Sequence, residues 1–173
     1  MVNIAKRMIE VGALKFGDFI LSSGKKSNVY VDVKLASTYP DILDAITEEI
    51  IKKIDVEFDK IACVELGGVP IGVSLSLKTG KPLVIFRKQK KEYGLGDDRI
   101  GSINLGDRFV LVEDVITTGK SAISAIERIE KAGGRVLKIL AVVDRGESEI
   151  KFESVLKLSE LLKAKDLLQS SQG

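Results

Sequence analysis

The chain of 173 residues is 45% hydrophobic, enough to fill the core of one domain of ordinary size. Its 27 Lys plus Arg stand against 25 Asp plus Glu, a formal net charge of +2, so no global charge calls for nucleic acid or an anionic membrane and any basic site is local. A lone cysteine, Cys63, excludes an intramolecular disulfide, no metal-ligand cluster stands out, and no stretch reaches the roughly 18 apolar residues of a membrane span, which together predict a soluble, cytoplasmic protein.

In chain order, residues 1–17 (MVNIAKRMIEVGALKFG) are amphipathic with interspersed charge, unlike an apolar signal core. A helix is predicted over about 40–54. It opens on Pro40 and Asp41, closes on Lys52 and Lys53, and sets Ile42, Ile46, Ile50 and Ile54 on one stripe, with charges that suit its dipole. Strand-length apolar runs follow at 60–65 (KIACVE), 82–86 (PLVIF), 108–113 (RFVLVE) and 136–144 (VLKILAVVD). Between them, a second helix is predicted from Pro70 to about Thr79, ended by Gly80. A third, over 121–132, carries Ala122, Ala125, Ile126, Ile129 and Ala132 at helical spacing and stops at Gly133 and Gly134. Residues 87–101 have no apolar period but contain Gly94, Gly96 and Gly101, and so long a connection reads as a lid. The final KAKDLLQSSQG is expected to fray. Alternating strands and helices predict an α/β fold, a parallel sheet covered on both faces, as one domain across 1–173.

Each strand run ends in charge: Glu65; Arg87 and Lys88; Glu113 and Asp114; Asp144 and Arg145. Any single pair reads equally well as a strand reaching the surface, but in open α/β sheets ligands bind beyond the carboxyl ends of the strands, so four such clusters are expected to converge. Two of these ends lead through glycine-containing turns into helix starts, at Gly67 and Gly68 and at Thr117, Thr118, Gly119, Lys120 and Ser121. Free N–H groups at a helix start bind anions, and Thr117, Thr118 and Ser121 add hydroxyl donors, although such turns also serve as plain caps. Two anion sites imply a ligand phosphorylated at two places. Gly119, Lys120 and Ser121 end like a nucleotide-triphosphate loop, but Asp114 stands where that loop needs its first glycine. Glu113 and Asp114 would repel a bare phosphate and suit hydroxyls or developing positive charge; a sugar diol with a phosphate on one arm satisfies both halves of the stretch.

The stretch 110–121 (VLVEDVITTGKS) resembles the phosphoribosyl-pyrophosphate signature of the type I phosphoribosyltransferases. Residues 19–34 (FILSSGKKSNVYVDVK), 65–72 (ELGGVPIG), 86–96 (FRKQKKEYGLG) and 142–147 (VVDRGE) are similar, in order, to the orotate phosphoribosyltransferases among them. The resemblance implies a type I phosphoribosyltransferase fold: a central parallel sheet flanked by helices, a small N-terminal hood of about 1–35 with C-terminal residues, and a flexible lid over about 87–101. It implies transfer of a 5-phosphoribosyl group from phosphoribosyl pyrophosphate to orotate in pyrimidine biosynthesis. Mg²⁺ would be held mainly by substrate, with no protein metal ligands assigned, and the likeness also implies a homodimer that shares the lid across its interface.

By position, the resemblance makes Glu113 and Asp114 partners of the ribose hydroxyls. Val115, Ile116, Thr117, Thr118, Gly119, Lys120 and Ser121 would cradle the 5′-phosphate, and Glu65, Gly67 and Gly68 would line the pyrophosphate side. Arg87, Lys88 and Lys91 match the basic loop over the pyrophosphate, with Tyr93 where many members carry histidine; Lys88, Lys91 and Asp114 are the catalytic candidates. Thr117 and Arg145 match orotate contacts, Arg145 suiting a carboxylate through its fork. Ser22 and Gly67 stand where some members have lysines, which leaves Lys25, Lys26 and Lys90 as nearby cations. A purine phosphoribosyltransferase would share the donor loop but need another hood, and a nucleotide-sensing regulator of nucleic acid would want more positive charge.

Overall fold

The computed structural model describes residues 2–21, 23–88 and 98–170. Along the chain run α1 (Ile4–Glu10), β1 (Leu14–Ile20), β2 (Lys26–Val31), α2 (Val33–Ala36), α3 (Pro40–Lys52), β3 (Lys60–Val64), α4 (Gly68–Thr79) and β4 (Leu83–Phe86). The second half holds β5 (Arg99–Ile100), β6 (Arg108–Ile116), α5 (Lys120–Lys131), β7 (Arg135–Asp144), β8 (Glu153–Lys157) and α6 (Leu158–Ser170). Strands β5-β4-β3-β6-β7-β8 form one sheet in that order, parallel throughout except for the short edge strand β5, which pairs antiparallel with β4.

Period-two alternation explains why the inner strands read as unbroken apolar runs. Ile61, Cys63, Val110 and Val112 face Ile42, Ile46 and Ile50 of α3 and Ile71 and Leu75 of α4. Ala62, Val64, Phe109 and Leu111 face Ala122, Ala125 and Ile129 of α5 on the other side. Each fully buried isoleucine of α3 contributes about 1.5–3 kcal/mol of burial.

Several predicted boundaries differ. Helix α4 begins at Gly68, so Pro70 sits inside the first turn, where proline's missing N–H costs no intrahelical bond. Of the C-terminal segment 163–173 expected to fray, residues 163–170 are helical, the end of α6, whose first half buries Leu161 in the core. Within 87–101, Arg99 and Ile100 form the edge strand β5; residues 89–97 lie outside the described residues.

The N-terminal hairpin β1/β2 stands apart from the main sheet. An ion pair from Lys25 to Glu147 (2.7 Å) ties it to the segment after β7, and Lys165 of α6 lies 3.4 Å from the Phe16 ring centroid.

Candidate functional site

The strands β4, β3, β6 and β7 are consecutive neighbours and parallel, so their carboxyl ends stand side by side. Strand β6 outruns its sequence-predicted end at Glu113: ladder pairs Glu113–Ala141, Val115–Val143 and Ile116–Asp144 carry it to Ile116. The two acids are therefore strand residues, and alternation sends them to opposite faces. Glu113 follows Phe109 and Leu111 towards α5, while Asp114 follows Val110 and Val112 towards α4.

Past β6 the chain turns through Thr117, Thr118 and Gly119 into α5. Gly119 adopts φ +82°, and a Cβ there would lie 2.9 Å from Ile150 Cδ1 and 3.1 Å from Ser148 Oγ, so only glycine allows this turn under the 148–150 segment. No side chain caps α5, which leaves its first-turn N–H groups to a ligand. Thr117, Thr118, Gly119, Lys120 and Ser121 wrap a small pocket together with Val115 and Ile116, with Ser23 of the hairpin on its rim.

A second cavity shares Glu113, Val115 and Ser121 with that pocket and is lined further by Lys34, Glu65, Gly67, Lys88 and Asp114. Glu65 fixes its floor. The Glu65 N–H donates to the Phe86 carbonyl (2.9 Å), its Oε1 accepts from the Lys88 N–H (3.1 Å), and the peptide bond to Leu66 is cis. Asp114 Oδ1 accepts from the Val115 N–H at 2.9 Å, and Gly67 and Gly68 present bare backbone at the start of α4. Glu113 is 5% exposed and its Oε1 is buried without a partner. Burial, reinforced by the charge of Asp114 and opposed by Lys88, pushes its carboxyl up to about 8.

Two arginines stand at the ends of the flanking strands β4 and β7. The Arg87 Nε is buried without a partner, and its carbonyl accepts from Arg128 Nη1 at 3.0 Å. At the end of β7, Arg145 Nη2 donates to Ser27 Oγ (2.9 Å) and Nη1 to the Val29 carbonyl (3.3 Å), leaving Nε buried and 3.9 Å from the Glu147 carboxylate. The fork expected to meet a ligand carboxylate is engaged by the hairpin in this structure. Among the described residues, no three His, Cys, Asp or Glu side chains come together as a metal cage.

A sheet of this order with a phosphate-sized loop beyond β6 has known counterparts. Residues 36–159 match the model of the phosphoribosyl transferase domain. A protein of Archaeoglobus fulgidus named orotate phosphoribosyltransferase is 64% identical over 171 residues, covering 98% of this chain and 96% of that one. The chain belongs to the orotate phosphoribosyltransferase family. The crystal structure of the Aeropyrum pernix orotate phosphoribosyltransferase superimposes with a TM-score of 0.83 at 30% identity, covering 95% of this chain and 98% of that one. The Mycobacterium tuberculosis enzyme in complex with 5-phospho-alpha-D-ribosyl 1-diphosphate superimposes with a TM-score of 0.70 at 26% identity, covering 91% and 96%.

In this orotate phosphoribosyltransferase chain, Glu65, Gly67, Lys88, Glu113 and Asp114, expected from three strand ends, meet in the cleft with the 117–121 loop, whereas Arg87 and Gly68 do not line it. Arg145, from the fourth, is held against the hairpin instead. Lys90, Lys91, Tyr93 and Ser22 lie outside the described residues. Sequence reading missed Lys34, which ends the quoted 19–34 stretch but was assigned only to the hood. It also missed Arg128, whose helical position gave no sign that it reaches Arg87.

Proposed function

We propose that the chain transfers the 5-phosphoribosyl group of phosphoribosyl pyrophosphate to N1 of orotate, giving orotidine 5′-monophosphate and pyrophosphate, a step of pyrimidine biosynthesis. The observation that carries this reading is the β6 end, where Glu113, whose Oε1 is buried without a partner, lines both a helix-start anion pocket and a second cavity holding Lys88. That order suits phosphate, diol and pyrophosphate laid along one cleft.

In this reading the 117–121 loop and the N–H groups of α5 bind the 5′-phosphate, with Val115 and Ile116 as the wall beneath it. Glu113 and Asp114 accept from the ribose hydroxyls and offset positive charge that develops at the anomeric carbon. Glu65, Gly67 and Gly68 line the pyrophosphate end. Arg87, Lys88 and Lys91 neutralise the leaving group, and Tyr93 donates a hydrogen bond to it. Thr117 and Arg145 hold orotate, Arg145 after exchanging a hairpin contact for the carboxylate.

Mg²⁺ fits the same residues: Glu113 and Asp114 offer two carboxylates, too few for a closed cage and suited to an ion carried on the donor. When bound, it would neutralise charge on the departing pyrophosphate. The chain acts as a single catalytic domain over 1–173, with residues 1–35 as hood and 87–101 as lid, in a cytoplasmic homodimer that shares the lid across its interface. Among the described residues, no helix is long and apolar enough to cross a membrane.

The test is spectrophotometric. Orotate absorbance should fall when donor and Mg²⁺ are added, with no turnover of adenine, guanine or uracil; turnover of a purine in place of orotate would overturn the assignment of the base.

A further inference from the structure

We infer that Lys34 is a donor-contacting residue, the cation that meets the pyrophosphate end of the donor from the α2 side of the cleft. The inference rests on the donor reading above and extends it to a residue outside the signature stretch.

Lys34 is half-buried on the short helix α2, which Asp32 caps by accepting from the Leu35 N–H at 3.1 Å. The Asp32 carboxylate is meanwhile paired with Lys15 at 2.8 Å. Nζ of Lys34 donates to Tyr30 Oη at 3.1 Å and lies 5.6 Å from the Tyr30 ring centroid. Tyr30 is itself steadied by Phe19, their rings 5.5 Å apart. Among the described residues no carboxylate comes within ion-pair distance of Lys34. A partly desolvated ammonium held only by a neutral phenol and an aromatic face has unspent capacity for an anion.

The cavity supplies the place. Lys34 lines the space that holds Glu65, Gly67, Lys88 and Asp114, and it is absent from the pocket wrapped by the 117–121 loop. Three carboxylates and two ammonium groups line that space, so a polyanion entering it needs both cations. Burial pulls the Lys34 ammonium down, but its bond to Tyr30 and the charges of Asp114 and Asp32 outweigh this, so it stays charged at neutral pH. Because the 5′-phosphate pocket lies at the far side of Glu113, Lys34 discriminates between the two ends of the donor.

The experiment titrates wild-type protein and Lys34→Met separately with pyrophosphate and with ribose 5-phosphate, each with and without Mg²⁺, by calorimetry. Loss of a charge-assisted contact predicts that Lys34→Met weakens pyrophosphate binding about tenfold or more and changes ribose 5-phosphate binding less than about twofold. Lys34→Arg should recover most of the loss. Tyr30→Phe, which frees Lys34 without removing it, should give a smaller loss of the same selectivity, and it carries the test alone should Lys34→Met fail to fold. Equal pyrophosphate affinity in wild type and Lys34→Met, or an equal loss for both ligands, overturns the inference while leaving the donor reading intact. A wild type that binds neither ligand overturns both.

Discussion

A Cβ atom built on Gly67 would lie 1.7 Å from Oδ2 and 2.2 Å from Cγ of Asp114. The backbone at Gly67 is ordinary (φ −66°), so glycine is required by the neighbouring carboxylate and not by its own conformation. Gly67→Ala should fold, since only one side chain must move, yet it displaces an acid assigned to the ribose. The expected result is a fall of about tenfold or more in kcat/KM for the donor, with an overpacking cost of about 1–3 kcal/mol. Steady-state kinetics beside thermal unfolding checks both; an unchanged kcat/KM would remove Asp114 from the donor site.

A second close approach packs α4 onto β3. A Cβ at Gly72 would come within 2.9 Å of Leu83 Cδ1 and 3.1 Å of Cys63 Sγ, while one at Gly68 would lie 3.1 Å from Cys63 Cβ. Spaced one turn apart on α4, the two glycines let the helix settle onto β3 at Cys63. Burial, with the charge of Glu113 added, pushes the Cys63 thiol up to about 12. A thiol reagent should therefore leave the native chain unlabelled and label it only after denaturant is added. Gly72→Ala should lower stability by about 1–3 kcal/mol and speed labelling in parallel, leaving the KM for orotate near wild type.

The sequence showed the sheet clearly because the central residues of β3, β6 and β7 (61–64, 109–112 and 140–143) are buried on both faces and are apolar there. It showed the phosphate loop because a turn onto a helix start draws on few residue types, and Gly119 is one that nothing else can replace. Edges were less legible. Arg99 and Ile100 form a strand only because β4 offers them an open edge, and β6 runs past its two acids because β7 continues to pair with it. Lys34 and Arg128 were invisible for another reason: each reaches its partners across the fold, from α2 to the cleft and from α5 to the ends of β4 and β5. No local period records such a contact. Arg145 was legible as a site residue, but its present partners on the hairpin were not.

Arg128 joins the α5 face to the rim of the cleft. Its Nη1 donates to the carbonyls of Arg87 (3.0 Å) and Asp98 (3.3 Å), and its guanidinium lies 4.9 Å from the Phe86 ring centroid. Arg87 and Asp98 are joined directly as well, N–H to carbonyl at 2.9 Å. Arg128→Lys keeps the charge but loses the planar fork and most of the stacking. The donor KM should rise about threefold to tenfold while the KM for orotate holds, because Arg87 and Lys88 loosen and the base site does not. Parallel rises in both constants would mean that Arg128 serves general stability only.

Glu113 supplies a prediction in pH. Its carboxyl keeps its proton up to about pH 8 in the folded chain, against 4.5 for the ordinary group. Between those values the folded state binds a proton that the unfolded state has released, so this residue's contribution to stability is complete at low pH and is lost as pH rises through about 8. Glu113→Gln keeps the neutral shape and suffers no such loss. The unfolding midpoint of the variant should therefore gain on wild type as pH rises from about 5 to about 8.5, by a free energy on the order of a few kcal/mol. Activity should run the other way. The ionised carboxylate is the better acceptor for a diol, so kcat/KM for the donor should climb with pH and level off above about 8 in wild type, while Glu113→Gln stays low and flat. A wild-type profile without this rise, or a variant that retains it, would show that the proton lost near pH 8 belongs to another group. The difference in midpoint between variant and wild type isolates Glu113 from the other titrating groups, since both chains share every one of them.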